Sequence, residues 1–304
     1  MYPDGSTSLS NFTTVSQNGG QLAGFRNQII NGDFRIWQRG SVFSDIAALS
    51  STATYTADHV AVFLTGATTG EVLFDRGSVS NLEGFSGCLQ NDTNGTAYVL
   101  FPVELDRSGG YAAPFIQGQT YTASWYQTDS IQPGNNLQFK ANVPGSVTGD
   151  CPTVGSLKSE PTGVNDWIRY SQSFTIEDPT GNPNSLVLTV LVGAGQSITG
   201  AQLEPGPVAT PFEYRPISVE LSMAQRYFET GRSKTWVGGA AGGGIAMSTQ
   251  YKVKKREIAT LFYGTTTGFQ FLPSQTESNY VEGFVAQNGG SGEIAFTWSA
   301  DAEL

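Results

Sequence analysis

Short runs in which apolar and polar residues alternate recur through the first two thirds of the chain. The clearest are Ala97–Leu105, Gln119–Gln127, Asn136–Val143, Ile168–Ile176 and Ser185–Val192. A period of two residues is that of a strand with one buried face. The run Ser185–Val192 is apolar on both faces except at Thr189, which predicts a strand in the centre of a sheet. The run Ala97–Leu105 is interrupted by Pro102, which favours an edge strand or a bulge. Antiparallel runs of this kind over residues 27–216 predict an all-β fold, a jelly-roll or similar sandwich.

Two motif-like segments lie at the two ends of this β-rich region. Asn31–Gly40 reads NGDFRIWQRG, and Thr199–Pro216 reads TGAQLEPGPVATPFEYRP. We interpret them as the first and last strands of one sandwich, lying side by side. Residues 1–26 are polar with no sustained apolar period, which predicts an extended N-terminal arm rather than a packed element.

The pattern changes after residue 216. Ile217–Thr230 has apolar residues at helical spacing, with Ser218 as the expected N-cap and Gly231 as the stop. The apolar face of this predicted helix holds Leu221, Ala224, Tyr227 and Phe228. It separates the sandwich from a small C-terminal β domain.

Four strands are predicted in that C-terminal domain: Tyr251–Tyr263, Gly268–Leu272, Asn279–Ala286 and Glu293–Ser299. The first contains a basic cluster, Lys252, Lys254, Lys255 and Arg256. We interpret the cluster as protection of an edge strand, or as a contact for an acidic surface or an anionic glycan. Few large apolar residues leave the domain a thin core. We therefore expect residues 217–304 to drive formation of a homotrimer, with the apolar helix face at the interface.

Composition supports the all-β prediction and restricts the kinds of partner that the protein could bind. Gly accounts for 37 residues and charged residues for only 14%, a balance typical of strands joined by tight turns. The net charge of −10 lies almost entirely on the first 216 residues and would repel a phosphate backbone, so we expect no nucleic-acid partner. No apolar run reaches the roughly 18 residues of a membrane span, so we expect no membrane insertion. The N-terminal residues lack the features of a secretion signal.

The sequence offers little for catalysis. His59 is the sole histidine, no serine lies in a G-x-S-x-G elbow, and the carboxylates show no diagnostic spacing. Cys88 and Cys151 are too few for a disulfide framework, and we expect two separate thiols, with a single disulfide as the alternative. We predict a protein that is not an enzyme.

Aromatic residues are the candidates for ligand contact. Trp37, Trp125 and Trp167 lie in or beside predicted strands, where an indole more often fills a core than binds a sugar. Other rings that could be exposed are Tyr98, Tyr111, Tyr126 and Tyr170, among which the sequence does not choose. The first three of these tyrosines are our candidate glycan-binding residues.

Five motifs occur in one order along the chain. They are Asn31–Gly40, Tyr55–Asp58 (YTAD), Gly200–Glu204 (GAQLE), Thr210–Pro216 (TPFEYRP) and Glu220–Glu229 (ELSMAQRYFE). Together they resemble a recurrent group of tailed-phage virion proteins, often tail fibres or structural proteins. His59 and Val60 depart from the Arg and Trp that commonly follow YTAD in that group. The resemblance implies a location in the virion, with residues 1–26 docking on other virion proteins.

The NGDF and AQLE segments also resemble the terminal strands of carbohydrate-binding jelly rolls. In such modules these strands commonly surround a structural calcium ion, and the resemblance makes Asp33 and Glu204 the candidate ligands. Many of those modules have Glu at the position of Arg35, and an arginine there could pair with Glu204 instead of leaving it to calcium.

The function expected from these observations is attachment. A tail fibre or receptor-binding protein would contact host-surface glycans weakly at each site and gain avidity from several copies. Two alternatives stay open: a capsid decoration or head-fibre protein without a host ligand, and a glycan depolymerase.

Overall fold

The computed structural model describes residues 16–17, 20–21, 25–75, 79, 82, 84–104, 118–128, 137–141, 156–164, 166–175, 185–237, 244–263, 269–276, 280–287 and 292–303. The chain divides into two compact units, residues 1–215 and 216–304, and each is described by itself. The described helices are α1 (Ile46–Ser51) and α2 (Ile217–Gln225). The described strands are β1 (Ser16–Gln17), β2 (Gly20–Gln21), β3 (Val42–Phe43), β4 (Thr54–Tyr55), β5 (Ala61–Thr65), β6 (Val72–Asp75), β7 (Cys88–Asn91), β8 (Thr96–Glu104), β9 (Thr120–Thr128), β10 (Leu137–Ala141), β11 (Lys158–Pro161), β12 (Trp167–Thr175), β13 (Ser185–Val192), β14 (Ser197–Pro205), β15 (Phe228–Val237), β16 (Gly244–Gln250), β17 (Thr260–Tyr263), β18 (Phe269–Thr276), β19 (Tyr280–Gln287) and β20 (Gly292–Asp301).

The first unit is a sandwich of two antiparallel sheets. One sheet has the strand order β10-β13-β8-β5-β4, and the other has the order β11-β12-β9-β14-β7-β6-β3. Alternate side chains of both sheets point into one shared apolar core, so that each strand has a core-facing and an outward-facing set. The prediction of an all-β, jelly-roll-type sandwich is confirmed.

The alternation of apolar and polar residues predicted the positions of several strands correctly. The core-facing residues of β9 and β12 include Tyr121, Trp125 and Tyr170, and the last two rings stack with centroids 5.8 Å apart. The strand β13 lies between β10 and β8, as its two apolar faces predicted. Pro102 is tolerated because β5 pairs with β8 only as far as Leu100, which leaves one neighbouring strand at the proline.

The NGDF segment is a turn and not the strand that we predicted. Asn31 and Phe34 have φ angles of 57° and 54°, a left-handed conformation that a strand excludes. The Asn31 side chain fixes this turn: its amide donates to the carbonyls of Ile36 at 2.8 Å and Asp58 at 3.0 Å. Its oxygen accepts from the Ile36 backbone N–H at 3.0 Å. The NGDF and YTAD motifs are therefore one buried corner of the sandwich.

The second unit holds α2 and two three-stranded sheets, β15-β20-β17 and β16-β19-β18. The helix ends at Gln225, five residues before the predicted end, and β15 begins at Phe228. Its N-terminus is capped by Pro216 without a side-chain hydrogen bond, so the predicted role of Ser218 is wrong.

The described part of the first unit also holds a helix that we did not predict, α1, whose N-cap Asp45 accepts from the Ala48 N–H.

The predicted interface residues of the second unit lie mostly inside it. Ala224, Tyr227 and Phe228 are buried within a single chain, while Leu221 is half-buried. The first three side chains are therefore already buried in the single chain and leave almost no surface for another subunit.

Residues 251–259 are not in a strand, contrary to our prediction for Tyr251–Tyr263. Lys255 turns inward instead of guarding a sheet edge, and its Nζ donates to Glu229 Oε2 at 2.6 Å and to the Gln225 carbonyl. The ammonium also lies 4.9 Å from the centroid of the Tyr251 ring. Burial lowers the pKa of Lys255 and, together with the charge of Glu229, raises that of Tyr251 to about 12. One member of the basic cluster is thus part of the core.

Within the described residues, no helix is both long and apolar enough to cross a membrane.

Candidate functional site

The structure places two of the three candidate tyrosines, and these lie on different sheets. Tyr98 is half-buried on β8 beside Phe63, with ring centroids 6.2 Å apart. Tyr126 is half-buried on β9, on the outward face of the seven-stranded sheet. Tyr111 lies outside the described residues. Of the two that can be placed, Tyr126 has the richer surroundings.

The chain after β14 folds back over the outward face of the seven-stranded sheet. The hydroxyl of Thr122 donates to the Gly206 carbonyl at 2.6 Å, and that of Ser173 donates to the Pro207 carbonyl at 2.8 Å. Farther along, the backbone N–H of Glu213 donates to Gln202 Oε1 at 2.8 Å. Residues 206–215 are thereby held against β9, β12 and β14, and the TPFEYRP motif lies beside Tyr126.

Four aromatic rings meet there and form what we call the aromatic patch: Phe85, Tyr126, Phe212 and Tyr214. Phe85 lies at its centre, with its ring centroid 5.1 Å from that of Tyr126, 5.3 Å from Phe212 and 5.6 Å from Tyr214. Phe212 and Tyr214 meet edge to face at 5.0 Å. Tyr214 is 49% exposed, and the other three rings are half-buried. A contiguous aromatic surface of this kind is a candidate site of interaction.

Two glycines leave space for the rings of the aromatic patch, because a side chain at either position would clash with them. A Cβ on Gly200 would come within 2.6 Å of Phe85 Cζ and 2.8 Å of Tyr126 Cδ2. A Cβ on Gly84 would collide with the Tyr214 hydroxyl. Both glycines also have positive φ angles, 61° and 88°, which other residues adopt at a cost. The Gly of the GAQLE motif therefore shapes the aromatic patch.

Arg169 lies at the rim of the aromatic patch. It is directly opposite Tyr126 in the register of β12 with β9, so both side chains are on the outward face. Its guanidinium carbon lies 5.8 Å from the centroid of the Tyr126 ring, and Nη2 donates to the Thr210 carbonyl. These contacts hold a cation in a fixed position next to exposed aromatic rings.

A small second core supports the aromatic patch from below. Its members are Val79, Leu82, Cys88 and Trp167, packed against Phe85 and Tyr126. Trp167 is thus buried outside the main core, whereas Trp125 is inside it and Trp37 is half-buried against it. Cys88 carries a free thiol, and its burial raises the pKa to about 12. Cys151 lies outside the described residues.

The candidate calcium ligands are engaged with other groups. Glu204 is fully buried, and its two oxygens accept from the Thr210 N–H at 2.8 Å, Thr210 Oγ1 at 2.6 Å and Gln202 Nε2 at 2.7 Å. Arg26 Nε lies 3.4 Å from Glu204 Oε2. Asp33 pairs with Arg35, so the expected pairing of that arginine with Glu204 does not occur.

Backbone carbonyls that could complete a calcium shell also have a cationic partner. Arg215 donates to the carbonyls of Asn27 and, at 3.1 Å, Ile29. Glu213, 3.7 Å from the same guanidinium, accepts the backbone N–H of Asn27 at 2.8 Å. We call Asn27, Glu213 and Arg215 the terminal clasp, because they join the chain before the NGDF turn to the chain after β14.

The residues present do not fit a shared calcium site. In the parts of the chain described, no three His, Cys, Asp or Glu side chains come together as a metal site. Arginine side chains neutralise the two candidate carboxylates and donate hydrogen bonds to the nearby carbonyls. Calcium binding by Asp33 and Glu204 stays a prediction that this arrangement does not favour.

Sequence reasoning found Tyr126 but missed Phe85, Phe212 and Tyr214. The TPFEYRP motif contains two of the missed rings at alternate positions, which is the signal that could have pointed to them. The arrangement can stack planar rings on the C–H faces of a sugar, while Arg169 and the Tyr214 hydroxyl offer polar contacts at the edge.

No family model matches the chain, and no curated protein matches it. Among solved structures, the chain is similar to the enzymatically active domain of bacteriophage CBA120 tailspike protein 4, at 12% identity and a TM-score of 0.33. That alignment covers 60% of this chain and 22% of the tailspike domain, so the chain spans less than a quarter of its length. It is also similar to recombinant discoidin II of Dictyostelium discoideum, at 10% identity and a TM-score of 0.20, over 72% of this chain and 84% of that one. These scores identify no family.

Proposed function

We propose that the protein is a structural component of a tailed-phage particle and attaches to host-surface glycans through the aromatic patch. The observation that carries the proposal is the half-exposed Tyr214 ring, held with three other rings on the outward face of the sandwich. Exposed aromatic rings that are fixed in place lose little conformational entropy when a flat ligand stacks on them.

The five ordered motifs support the virion part of the proposal. They occur in the group of phage proteins that the chain resembles, and the structure gives several of their residues buried roles. Asn31, Asp58 and Glu204 are each fully or nearly fully buried in the sandwich. The motifs therefore mark this fold, whereas the ligand is contacted by the rings that the fold exposes.

We place the protein in the tail, as a fibre or receptor-binding component that binds without cleaving. Beside the aromatic patch, Glu204 and Glu213 are each paired with an arginine and hydrogen-bonded to the backbone. The oxygens of these carboxylates are therefore already engaged by protein groups, whereas a glycosidase presents its two carboxyl groups to the scissile bond.

The binding proposal is tested with the full chain on an array of bacterial surface polysaccharides. The wild type is expected to bind a subset of them, and Tyr214→Ala is expected to lose that binding. Tyr98→Ala removes our other placed candidate, a half-buried tyrosine on the five-stranded sheet, and is expected to keep the binding if the aromatic patch is the site. Equal binding by wild type and Tyr214→Ala would contradict the role of the aromatic patch.

Two further measurements test the location and the lack of catalysis. A reconstruction of the particle is expected to show the protein in the tail, and a position on the capsid would favour a decoration or head-fibre protein. Incubation with each bound polysaccharide is expected to release no new reducing ends, and their appearance would favour a depolymerase.

A further inference from the structure

Among the described arginines of the first unit, Arg169 differs from the others in its charge partners. Within the described part of that unit, four arginines lie within 4 Å of a carboxylate: Arg26 with Glu204, Arg35 with Asp33, Arg39 with Asp58 and Arg215 with Glu213. Arg169 has no carboxylate partner among the described residues. Glu160 is directly opposite it in the register of β11 with β12, but the two do not form an ion pair.

The guanidinium of Arg169 also keeps hydrogen-bonding capacity. Its Nη2 donates to the Thr210 carbonyl, while its Nε is buried and has no acceptor among the described residues. A guanidinium offers five N–H donors, but the buried Nε is closed to a ligand, so those left for one are the two of Nη1 and the second of Nη2. The side chain is half-buried against Tyr126, which keeps the charge near the aromatic rings and partly shields it from water.

We propose that the aromatic patch is selective for acidic glycans, and that Arg169 binds the carboxylate of a uronic-acid residue stacked on the rings. This inference rests on the proposed glycan-binding function and names its ligand class. It requires the local charge of Arg169 to outweigh the net negative charge of the first 216 residues, which is the reason why we expect no nucleic-acid partner. A carboxylate is an anionic sugar substituent whose geometry matches the planar guanidinium, and its hydrogen bonds to arginine are charge-assisted. A ring carboxylate also lies at the edge of the sugar, where it can reach the rim while the C–H face contacts the patch.

The test uses the full chain and a panel of uronic-acid polysaccharides, each paired with its carboxyl-reduced form. Reduction turns the carboxylate into a primary alcohol and leaves the ring otherwise unchanged. The wild type is expected to bind at least one acidic form on the order of tenfold to a hundredfold more tightly than its reduced form, the range of one charge-assisted contact. Arg169→Gln is expected to bind both forms equally, and Arg169→Lys to keep part of the preference.

Two control variants accompany the test. Arg232→Gln removes an exposed arginine of the second unit and is expected to leave the preference unchanged. Glu160→Gln removes the carboxylate opposite Arg169 and is expected to keep or increase binding of the acidic forms. The unfolding temperature of each variant shows whether it is folded.

The failures can be told apart. If the wild type binds the reduced forms as tightly as the acidic ones, the acidic selectivity is refuted and the glycan-binding function stands. If the affinity of a folded Arg169→Gln variant falls by the same factor for the acidic and the reduced form, Arg169 stabilises the aromatic patch without binding the carboxylate. The proposal is then refuted. If the wild type binds neither form, and no glycan on the wider array, both proposals fail.

Discussion

Tyr214 shows how single residues build the candidate site. Its ring is 49% exposed, yet Phe85 and Phe212 lie against it and Gly84 leaves space for its hydroxyl. A side chain in such a position contributes little to the core of the protein. The neighbours that fix its orientation are more informative than its exposure, because they prepare the ring for a ligand.

The glycine of the GAQLE motif provides the first test of this packing. Gly200→Ala would force Phe85 and Tyr126 to move, in addition to straining a backbone with a φ of 61°. Gly195→Ala is a matched control, since its φ is 73° and nothing lies near its Cβ position. By chemical denaturation we expect Gly195→Ala to cost about 1 kcal/mol and Gly200→Ala about 1–3 kcal/mol more. Equal losses would show that the rings do not constrain this position.

Cys88 offers a test by pH. Its pKa is raised to about 12 by burial, so the unfolded chain loses the thiol proton at lower pH than the folded chain does. The stability that this group contributes is complete below its usual pKa and is lost as the pH rises toward 12. In a Cys151→Ser background, the free energy of unfolding should therefore fall less steeply above pH 9 in Cys88→Ala than in the parent. The difference in slope should approach about 1.4 kcal/mol per pH unit, and parallel curves would contradict the shifted pKa.

Among the elements, the terminal clasp joins segments that are far apart in sequence. Arg215→Met would leave Glu213 and the carbonyls of Asn27 and Ile29 without their cation. We expect a loss of about 3–5 kcal/mol in the free energy of unfolding, the range for breaking a buried charge pair. Arg256→Met is the control, since it breaks a pair with the exposed Glu257 and should cost at most about 1 kcal/mol.

The terminal clasp also predicts the response to metal. If arginines neutralise these oxygens, neither a chelator nor millimolar calcium should change the unfolding temperature of the wild type. A rise in unfolding temperature with calcium concentration would show that the folded protein binds the ion, and the calcium prediction would then be right after all.

The sequence predicted elements well where packing followed local alternation. The expected strand Gln119–Gln127 is β9, Thr120–Thr128, because one face of it fills the core. It failed at β15, where helical spacing continued into residues that pair with β20 along their whole length. That pairing is a tertiary contact that no local pattern contains.

The candidate site was only partly predictable for the same reason. Tyr126 was named because it alternates on a strand. Phe85, Phe212 and Tyr214 join it from two other segments, which only the fold brings together. The arginine partners of Asp33 and Glu204 likewise could not be read from spacing.

At the scale of the whole molecule, the second unit bears on assembly. Its two described sheets have only three strands each, and a sheet of this size needs a covered face to be stable. We therefore retain the proposal of a homotrimer, with an interface other than the buried Ala224, Tyr227 and Phe228. Light scattering at micromolar concentration should give about three times the chain mass of 32.4 kDa. A mass near that of one chain would refute the trimer.

Trimerisation matters for the proposed function because a single aromatic patch would bind a glycan weakly. Three copies on one particle component would raise the effective affinity without any new contact. The intrinsic affinity of one patch is thus the quantity on which attachment depends.

Glycan binding by the aromatic patch is tested by a calorimetric titration with a short oligosaccharide from a polysaccharide that the wild type binds. Wild type, the Phe212→Ala/Tyr214→Ala double variant and Tyr98→Ala are compared, each checked for folding by its unfolding temperature. We expect the dissociation constant of the double variant to be at least about tenfold larger than that of the wild type and that of Tyr98→Ala to be unchanged. An unchanged constant in a folded double variant would place the glycan elsewhere and contradict the central claim.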